Sequence, residues 1–316
     1  MALKLALPSL DKRNVALAKA RFAAWWEGAA FDEAQALAAI EAAANDAANN
    51  GGQDGNIDAE LFAAEAEPED PRLDALQRIW GKGRVGPGDD AAEAGLATKL
   101  NLTATATLGL FGPGLGAPVS AIAQTHLGEI RVFEWREETL PALRRAVTRA
   151  KLDARVTVSA ADLETFSSPA DAFDGLVSLD DFSFADNAGR LAQQLVRGLK
   201  PKAMAVIEMY CGVPGNDIAA GFAAAFREPQ IRPADKAAAI LEEAGLRVDA
   251  NDDSTDAHIE AVKVGFRRLG EALKTGGALS PVAGRELAWE TEAWRVRVRL
   301  LAARRLERRC FLVTKR

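Results

Sequence analysis

The sequence is poor in the residues that carry most side-chain chemistry. Its 316 residues contain two cysteines, two histidines and one tyrosine. Cys211 and Cys310 lie far apart in apolar sequence, which excludes a disulfide framework or a thiolate metal cluster and predicts two buried thiols. His258 has no second imidazole nearby, so no metal site is predicted. His126, at the end of a predicted helix, is expected to cap it.

Long apolar runs and an excess of basic charge are also missing. No apolar run reaches the roughly 18 residues that a membrane span needs, and the apolar start of the chain is too short for a signal peptide. The formal net charge of -6 argues against nucleic-acid binding by the chain as a whole. We therefore expect a cytoplasmic protein without a membrane or nucleic-acid partner.

The arginine-rich segment 294–309 is a local exception to the acidic balance. Nearby glutamates, Glu286, Glu290, Glu292 and Glu307, can offset part of its charge. Aromatic residues suited to base stacking are not interleaved with these arginines. A solvated helix face is therefore predicted in preference to a patch for nucleic acid or an acidic partner.

The clearest motif that is present is the run Leu108-Gly-Leu-Phe-Gly-Pro-Gly-Leu-Gly-Ala-Pro118, in which Gly112, Gly114 and Gly116 alternate. Glycines at this spacing let a strand turn into a helix while the backbone approaches a ligand. The next predicted strand ends at Glu134, 22 residues after Gly112. A carboxylate roughly 20 residues on holds the ribose hydroxyls in nucleotide-binding sheets. Together these features predict an adenosine-containing cofactor.

The chain is predicted to comprise an N-terminal α-helical cap, residues 1–75, and an α/β domain, residues 76–316. The cap is rich in alanine, with helices predicted over 11–28 and from Asp32, its N-cap, to 49. The apolar stripe Phe22, Trp25 and Trp26 favours closure of the cap over a cofactor cleft. Packing of that stripe on a neighbouring helix, or on a second subunit of a homo-oligomer, is the alternative.

Strands and helices alternate beyond residue 103. Strands are predicted over 104–111, 130–134, 155–158, 175–179, 203–209 and 310–314. Helices are predicted over 119–125, 140–150, 188–199, 233–244, 258–273 and 286–306. This alternation predicts a doubly wound, mostly parallel sheet covered by helices on both faces, with ligands bound beyond the carboxyl ends of the strands.

Further segments accompany the glycine run in a set order: 80–88, 133–135, 161–163, 173–179 and 199–210. In this order and spacing they resemble a class I S-adenosylmethionine-dependent methyltransferase of the small-molecule type. The resemblance covers about three-quarters of the chain. It implies a Rossmann-like fold with a seven-stranded sheet whose last strand, near residues 310–314, is antiparallel.

The resemblance also implies residue roles, with S-adenosylmethionine as the cofactor. The implied cofactor-binding residues are Gly112, Gly114, Gly116, Glu134, Trp135, Asp162, Leu163 and Leu179. The resemblance places Trp80 in the segment over the cofactor, as a candidate substrate-binding residue, and it assigns no catalytic residue and no metal ligand. From their residue type, Asp180 and Asp181 are candidate substrate-binding residues that could hold a cationic substrate or act as a base. On the residues alone, a ligand-free turn at the glycines and solvated acids at Glu134, Asp162, Asp180 and Asp181 are the alternative interpretations.

One position departs from the family pattern and makes the cofactor loop degenerate. Leu110 stands where the family usually has an acid that helps hold the methionine part of the cofactor. Two hypotheses follow: methyl transfer to a small-molecule nucleophile, or a catalytically inactive methyltransferase-fold protein that acts as a binding or scaffold module for a protein partner. A nicotinamide dehydrogenase fits the order of the motifs less well.

Overall fold

The computed structural model describes residues 32, 34–39, 41, 70–215, 230–275 and 281–316, and divides the chain into two compact units, Met1–Glu67 and Pro68–Arg316. In the first unit residues 34–39 are helical, and the backbone N–H of Gln35 donates to the carboxylate of Asp32 at 3.0 Å, as expected of an N-cap. The stripe of Phe22, Trp25 and Trp26 lies outside the described residues. The second unit begins before residue 75, the predicted boundary, which falls inside a helix.

The second unit alternates helices and strands. Its described helices are α1 (Pro71–Trp80), α2 (Asp90–Thr98), α3 (Ala117–Thr125), α4 (Leu140–Arg149), α5 (Ala188–Gly198), α6 (Ala234–Glu243), α7 (Thr255–Thr275) and α8 (Pro281–Ala302). Its described strands are β1 (Leu108–Phe111), β2 (Ile130–Glu134), β3 (Val156–Ala160), β4 (Phe173–Leu179), β5 (Leu199–Gly212), β6 (Arg232–Pro233), β7 (Leu246–Asp253) and β8 (Leu306–Lys315).

The strands form one sheet in the order β3-β2-β1-β4-β5-β8-β7, with β6 paired to β5. The first five run parallel, and β8 runs antiparallel to both β5 and β7. The doubly wound α/β fold and its antiparallel last strand are therefore confirmed. The predicted count of seven is wrong, because the two-residue β6 makes eight strands. Strand β7 escaped prediction because it is mostly exposed and carries charged residues along its length.

Alternating side chains of the central strands fill a core on each face of the sheet. Leu108 and Leu110 of β1 lie in one apolar cluster, whereas Phe111 lies in the other with Phe133 and Phe173. The glycine run is therefore the end of a strand buried on both faces, and ligands can reach it only at its carboxyl end.

The structure also bears on the predictions made for the cysteines, for His126 and for membrane-spanning helices. Cys211 and Cys310 are buried, as predicted, and burial raises the pKa of the Cys211 thiol to about 12. His126 is the C-cap residue of α3, and its ring nitrogen lies 3.0 Å from the carbonyl oxygen of Ala106. Among the described helices, none combines the length and apolar character that crossing a bilayer requires.

Candidate functional site

The glycine run forms a tight connection between β1 and α3. Gly112, Gly114 and Gly116 have φ values of 67°, 70° and 110°, in the left-handed region that favours glycine. A Cβ on Gly112 would collide with the Asp181 carboxylate and would lie 2.6 Å from the carbonyl oxygen of Leu179. The predicted strand-loop-helix turn is therefore present, and its glycines are required by close approach as well as by backbone conformation.

Glu134, at the end of β2, is fixed to this loop. One oxygen of its carboxylate, Oε2, accepts a hydrogen bond from the backbone N–H of Gly114 at 2.6 Å. The other, Oε1, accepts from the backbone N–H and the Nη1 of Arg136, both at 2.9 Å. The interpretation of Glu134 as a solvated acid is wrong, because the residue is 0% exposed.

Arg136 is a site residue that the sequence did not predict. Its side chain lies between the Glu134 carboxylate and a cavity at this edge of the sheet. Its Nη1 lies 3.4 Å from the carbonyl oxygen of Gly112, and its guanidinium lies 4.1 Å from the centre of the Trp135 ring. Trp135 in turn packs on Phe184, with ring centres 4.5 Å apart. Arg136, unlike the buried Glu134, lines the cavity. The guanidinium, and not the carboxylate, is therefore the charge that this part of the cavity presents.

The segment after α1 lies over the glycine run. The carbonyl oxygen of Gly83 accepts a hydrogen bond from the backbone N–H of Ala117 at 3.0 Å, and Val85 approaches Gly114 closely enough to exclude a side chain there. Val85 also lines the cavity with its neighbours 86 and 87. Trp80, implied to contact a substrate, is instead 1% exposed and packs in the interior against Trp294, with ring centres 4.6 Å apart.

The cavity has a volume of about 250 Å³, at the small end of the range for small-molecule sites. One end is bounded by residues 85–87, Trp135 and Arg136, beside the glycine run. Phe184 packs on Trp135 at this end, and Asp180 pairs with Arg308. The other lining residues include Tyr210, His258, Trp289, Trp294, Arg297 and Arg308, which we call the far end of the cavity, and Arg72, Glu138 and Glu290. In the described residues, no group of three or more His, Cys, Asp or Glu side chains is placed to hold a metal ion.

The two neighbouring acids Asp180 and Asp181 diverge. Asp180 adopts a left-handed φ of 68°, lines the cavity and forms an ion pair with Arg308. Asp181 is 1% exposed, and its Oδ2 accepts a hydrogen bond from the Ser178 hydroxyl at 2.6 Å. Burial raises the pKa of Asp181 to about 7. The pair is therefore one cavity residue and one buried carboxyl beneath the glycine run.

The other implied cofactor residues lie outside the cavity wall. Asp162 is exposed, and its Oδ1 accepts from the backbone N–H groups of Glu164 and Thr165, both at 2.8 Å. These hydrogen bonds, that of Thr165 first, lower the pKa of Asp162. Leu163 packs in the apolar core, and Leu179 ends β4. Asp162 therefore closes the turn after β3 in this structure, and a cofactor contact for these residues stays a prediction.

The far end of the cavity brings together residues that the sequence did not predict to be neighbours. The hydroxyl of Tyr210, on β5, lies 2.7 Å from Nε2 of His258, on α7. The guanidinium groups of Arg297 and Arg308 lie 4.3 and 4.8 Å from the centre of the Tyr210 ring. Burial, followed by the charges of Arg308 and Arg297, holds the pKa of His258 well below its usual value. His258 is therefore a neutral imidazole near pH 7.

The predicted solvated helix face over 294–309 is wrong for two of its arginines. Arg297 and Arg308 are 3% and 6% exposed. Helix α8 ends at Ala302, so Arg308 lies on β8 rather than on the helix. Other members of the segment do form exposed ion pairs, such as Arg295 with Glu292, in which the Nε of Arg295 donates to Oε2 at 2.7 Å. Only the tertiary structure separates the two groups of arginines.

Comparison with known proteins adds independent findings. The sequence model of a family described as a methyltransferase domain matches residues 110–207, which run from β1 into β5. No curated protein matches the chain. Among solved structures, phosphoethanolamine N-methyltransferase 2 of Haemonchus contortus, in complex with S-adenosyl-L-methionine, is similar with a TM-score of 0.66 and 19% identity. The match covers 77% of this chain and only 56% of that one, little more than half its length.

Two further solved structures match over nearly their whole length. A putative sarcosine dimethylglycine methyltransferase from Galdieria sulphuraria has a TM-score of 0.65 and 16% identity, with 78% of this chain and 98% of that chain covered. The [4+2]-cyclase SpnF has a TM-score of 0.62 and 14% identity, with 78% and 92% covered. Identities this low show the fold alone. Residues 110–207 therefore match the sequence model of a methyltransferase domain, and the chain shares the fold of solved S-adenosylmethionine-dependent methyltransferases.

Proposed function

We propose that the protein transfers the methyl group of S-adenosylmethionine to a small-molecule nucleophile. The observation that carries this proposal is the hydrogen bond between the Glu134 carboxylate and the backbone N–H of Gly114. It joins the acid at the carboxyl end of β2 to the glycine run after β1, the place where open α/β sheets bind nucleotides. A small-molecule cavity lies directly beside it.

The residues at this edge fit such a cofactor. Gly112, Gly114 and Gly116 supply the tight strand-to-helix turn at this edge, Glu134 supplies a carboxylate for the ribose hydroxyls, and Trp135 supplies a flat apolar surface for the adenine. Glu134 is buried under the Arg136 guanidinium, so binding requires that side chain to turn away. Leu110 packs in the apolar core and offers no acceptor to the cofactor.

Methyl transfer makes modest demands on the side chains. The cofactor supplies a methyl group that its sulfonium already activates. The protein has to align an acceptor with that group and exclude water from the site. A cavity walled by Trp289, Trp294 and Phe184 suits these tasks without a dedicated base. The acceptors named for two structural relatives, phosphoethanolamine and sarcosine with dimethylglycine, support a small molecule as the acceptor class.

A binding module without turnover is the second candidate. Two observations favour it: Leu110 is 0% exposed within the core, and the Glu134 carboxylate already has three hydrogen bonds within the chain. In that case the cavity would serve for recognition of a ligand or protein partner. The two candidates differ in whether S-adenosylhomocysteine forms, which can be measured directly.

Calorimetric titration of the full chain with S-adenosylmethionine and S-adenosylhomocysteine tests the proposal. We expect saturable binding that Glu134→Gln weakens about tenfold or more, because a neutral amide replaces the charged acceptor. Glu129→Gln is the matched control, since Glu129 lies just before the same strand with a 61% exposed side chain and pairs only with Arg131 in the described structure. Binding with formation of S-adenosylhomocysteine from small amines, carboxylates or phenols supports the enzyme. Binding without turnover favours the module, and no binding contradicts the cofactor assignment.

A further inference from the structure

We propose that Asp181 supplies, as a carboxylate, the acceptor that Leu110 lacks, and that it binds the ammonium group in the methionine part of the cofactor. The identity of this ligand rests on the proposed function. The acid then stands not on β1, where the family usually has it, but in the short 3₁₀ turn Asp181–Ser183 that follows β4. A ligand that lacks the ammonium group loses only this contact, so the two proposals can be tested apart.

The position of Asp181 at the glycine run is the first argument. Its Oδ1 lies so near Gly112 that a Cβ on this glycine would collide with it, and the same Cβ would lie 2.6 Å from the carbonyl oxygen of Leu179. Strands β1 and β4 are parallel neighbours, with Leu110 opposite Val177, so both end beside the glycine run. Two oxygen acceptors, one of a side chain and one of the backbone, therefore meet at the first glycine of the run.

The second argument is that one carboxyl oxygen of Asp181 is left over. Oδ2 accepts a hydrogen bond from the Ser178 hydroxyl at 2.6 Å, which orients the side chain. Oδ1 is buried and has no hydrogen-bond partner among the residues that the structure describes. A buried acceptor without a partner is costly to the folded state, and most such groups are satisfied in native proteins. The acceptor that an ammonium group needs is therefore present, oriented and unused.

The charges around Asp181 favour a cation as the missing partner. The charged groups that face it are the Arg136 guanidinium and the carboxylates of Glu134 and Asp180. Burial raises the pKa of Asp181 to about 7, against the hydrogen bond of Ser178 and the charge of Arg136, which lower it. An ammonium group against Oδ1 stabilises the ionised carboxyl. Binding is therefore expected to release the proton that Asp181 holds in the free protein.

Arg136 lies on the approach from the cavity to this acceptor. Its side chain lines the cavity, and its Nη1 lies 3.4 Å from the carbonyl oxygen of Gly112 and 2.9 Å from Oε1 of Glu134. A cofactor that binds Glu134 has to displace this guanidinium, which removes the one cation that faces Asp181 among the described residues. The ammonium group of the cofactor takes its place, so the buried carboxyl groups keep a positive charge beside them.

Two ligands that differ only in the amino group test this inference on the full chain. S-adenosylhomocysteine carries the ammonium group. Its deaminated analogue, in which hydrogen replaces the amino group, keeps the adenosine, the sulfur and the carboxylate. Calorimetric titration at constant ionic strength compares them at about pH 8, where the charge-assisted contact is complete. We expect S-adenosylhomocysteine to bind about tenfold or more tightly than the analogue.

Asp181→Asn assigns that preference to one side chain. The variant should bind S-adenosylhomocysteine about tenfold or more weakly than the parent and the analogue equally well, so that the preference disappears. Asp174→Asn is the matched control, because Asp174 lies at the opposite end of β4 and pairs with Lys200 at 2.6 Å. The control should keep the preference of the parent.

Proton release by the parent protein gives a second readout that needs no variant. In buffers of different ionisation enthalpy at about pH 6, S-adenosylhomocysteine should release most of one proton more than the analogue, because Asp181 is largely protonated before binding and ionised after it. A preference that survives in Asp181→Asn, or equal proton release by the two ligands, overturns the inference. Equal affinity of the parent for both ligands overturns the inference alone, whereas failure of both to bind overturns the proposed cofactor as well.

Discussion

The location of Glu134 beside the glycine run could be predicted from the sequence, but its burial could not. Its spacing from Gly112 correctly places it beside the glycine run, where it contacts Gly114. Its burial depends on Arg136, only two residues further, whose side chain folds back over the carboxylate and the Trp135 ring. Spacing along the chain reports which backbone segments meet, but it does not report which rotamer a long side chain adopts.

The Arg136 side chain is expected to compete with the cofactor for Glu134. Arg136→Gln should tighten S-adenosylhomocysteine binding severalfold, because the ion pair no longer has to open before the ribose can bind. It should also lower the free energy of unfolding by about 1–3 kcal/mol, since a buried carboxylate loses a charged donor. Calorimetry and urea unfolding measure the two effects. Arg131→Gln, which removes an exposed pair with Glu129, is the control. Weaker binding by Arg136→Gln would mean that Arg136 assists the ligand.

Asp181 is expected to make stability depend on pH. Its folded pKa of about 7 lies above the ordinary value of 3.8, so the folded state binds the proton more tightly than the unfolded state. The stabilisation is therefore complete below about pH 4 and is lost as the pH rises through about 7. Glu93, with a pKa of about 7, acts in the same direction in the parent protein.

Asp181→Asn isolates this contribution. The amide cannot ionise, so the variant does not lose stability through this position as the pH rises. The free energy of unfolding of the variant minus that of the parent should therefore be larger at about pH 8 than at about pH 4, by at least about 1 kcal/mol, the equivalent of roughly one pKa unit. Urea unfolding of both proteins at the two pH values measures the difference. Parallel pH profiles would show that Asp181 ionises normally in the folded protein.

Among the elements, strand β1 buries Leu110, the position at which the sequence departs from the family pattern. The residue is 0% exposed and packs in one cluster with Val119 and Ile122 of α3 and with Val132 of β2. Leu110→Asp should therefore destabilise the protein by several kcal/mol, because it buries a charge without a partner. The loss should persist with S-adenosylhomocysteine present.

Thermal unfolding with and without S-adenosylhomocysteine checks the Leu110→Asp prediction. Leu127→Asp is the matched control, because Leu127 is 66% exposed just before β2 and should tolerate the same change. A Leu110→Asp protein that melts like the parent, or that binds the ligand more tightly, would show that this position faces the cofactor. The degenerate loop would then be open to repair by a single carboxylate.

Helix α1 spans the predicted domain boundary. It buries Leu73, Leu76, Ile79 and Trp80, and it packs against α7 and α8. The predicted boundary at residue 75 falls within this helix. The alanine-rich sequence ends gradually, whereas the second compact unit is assigned from Pro68 onward.

At the scale of the whole molecule, the unit Pro68–Arg316 is expected to fold alone. A fragment of residues 68–316 should unfold cooperatively and bind S-adenosylhomocysteine, because it contains the whole sheet and the cavity. A fragment of residues 76–316 should be less stable by several kcal/mol, since it loses the first half of α1 and exposes its apolar partners. Calorimetric melting compares the two. Equal stability of the fragments would show that the first half of α1 is dispensable.

The fragment of residues 68–316, compared with the full chain, also tests whether the N-terminal unit contributes to cofactor binding. The sequence predicts that residues 1–75 close over the cofactor cleft, and the stripe that would do so lies outside the described residues. If the fragment of residues 68–316 binds S-adenosylhomocysteine as tightly as the full chain, the lid hypothesis is contradicted. Weaker binding by the fragment supports it.

The features that repeat at short range follow from the sequence alone. The alternation of strands and helices, the turn at Gly112–Gly116 and the approach of Glu134 to it follow from apolar periodicity and from glycine conformation. The antiparallel last strand came from resemblance to a family, and the structure confirms it.

The composition of the far end of the cavity, in contrast, depends on how distant segments of the chain pack together. Tyr210 and His258 are 48 residues apart in sequence, and Asp180 and Arg308 are 128 apart. No local pattern joins such residues, because their encounter depends on how β5, β8 and α7 pack and on the order of strands in the sheet. Burial then changed their chemistry: it lowers the pKa of His258 and places two arginines of a basic segment in the wall of the cavity. Desolvation is a property of the surroundings, so it cannot be read from the residues alone.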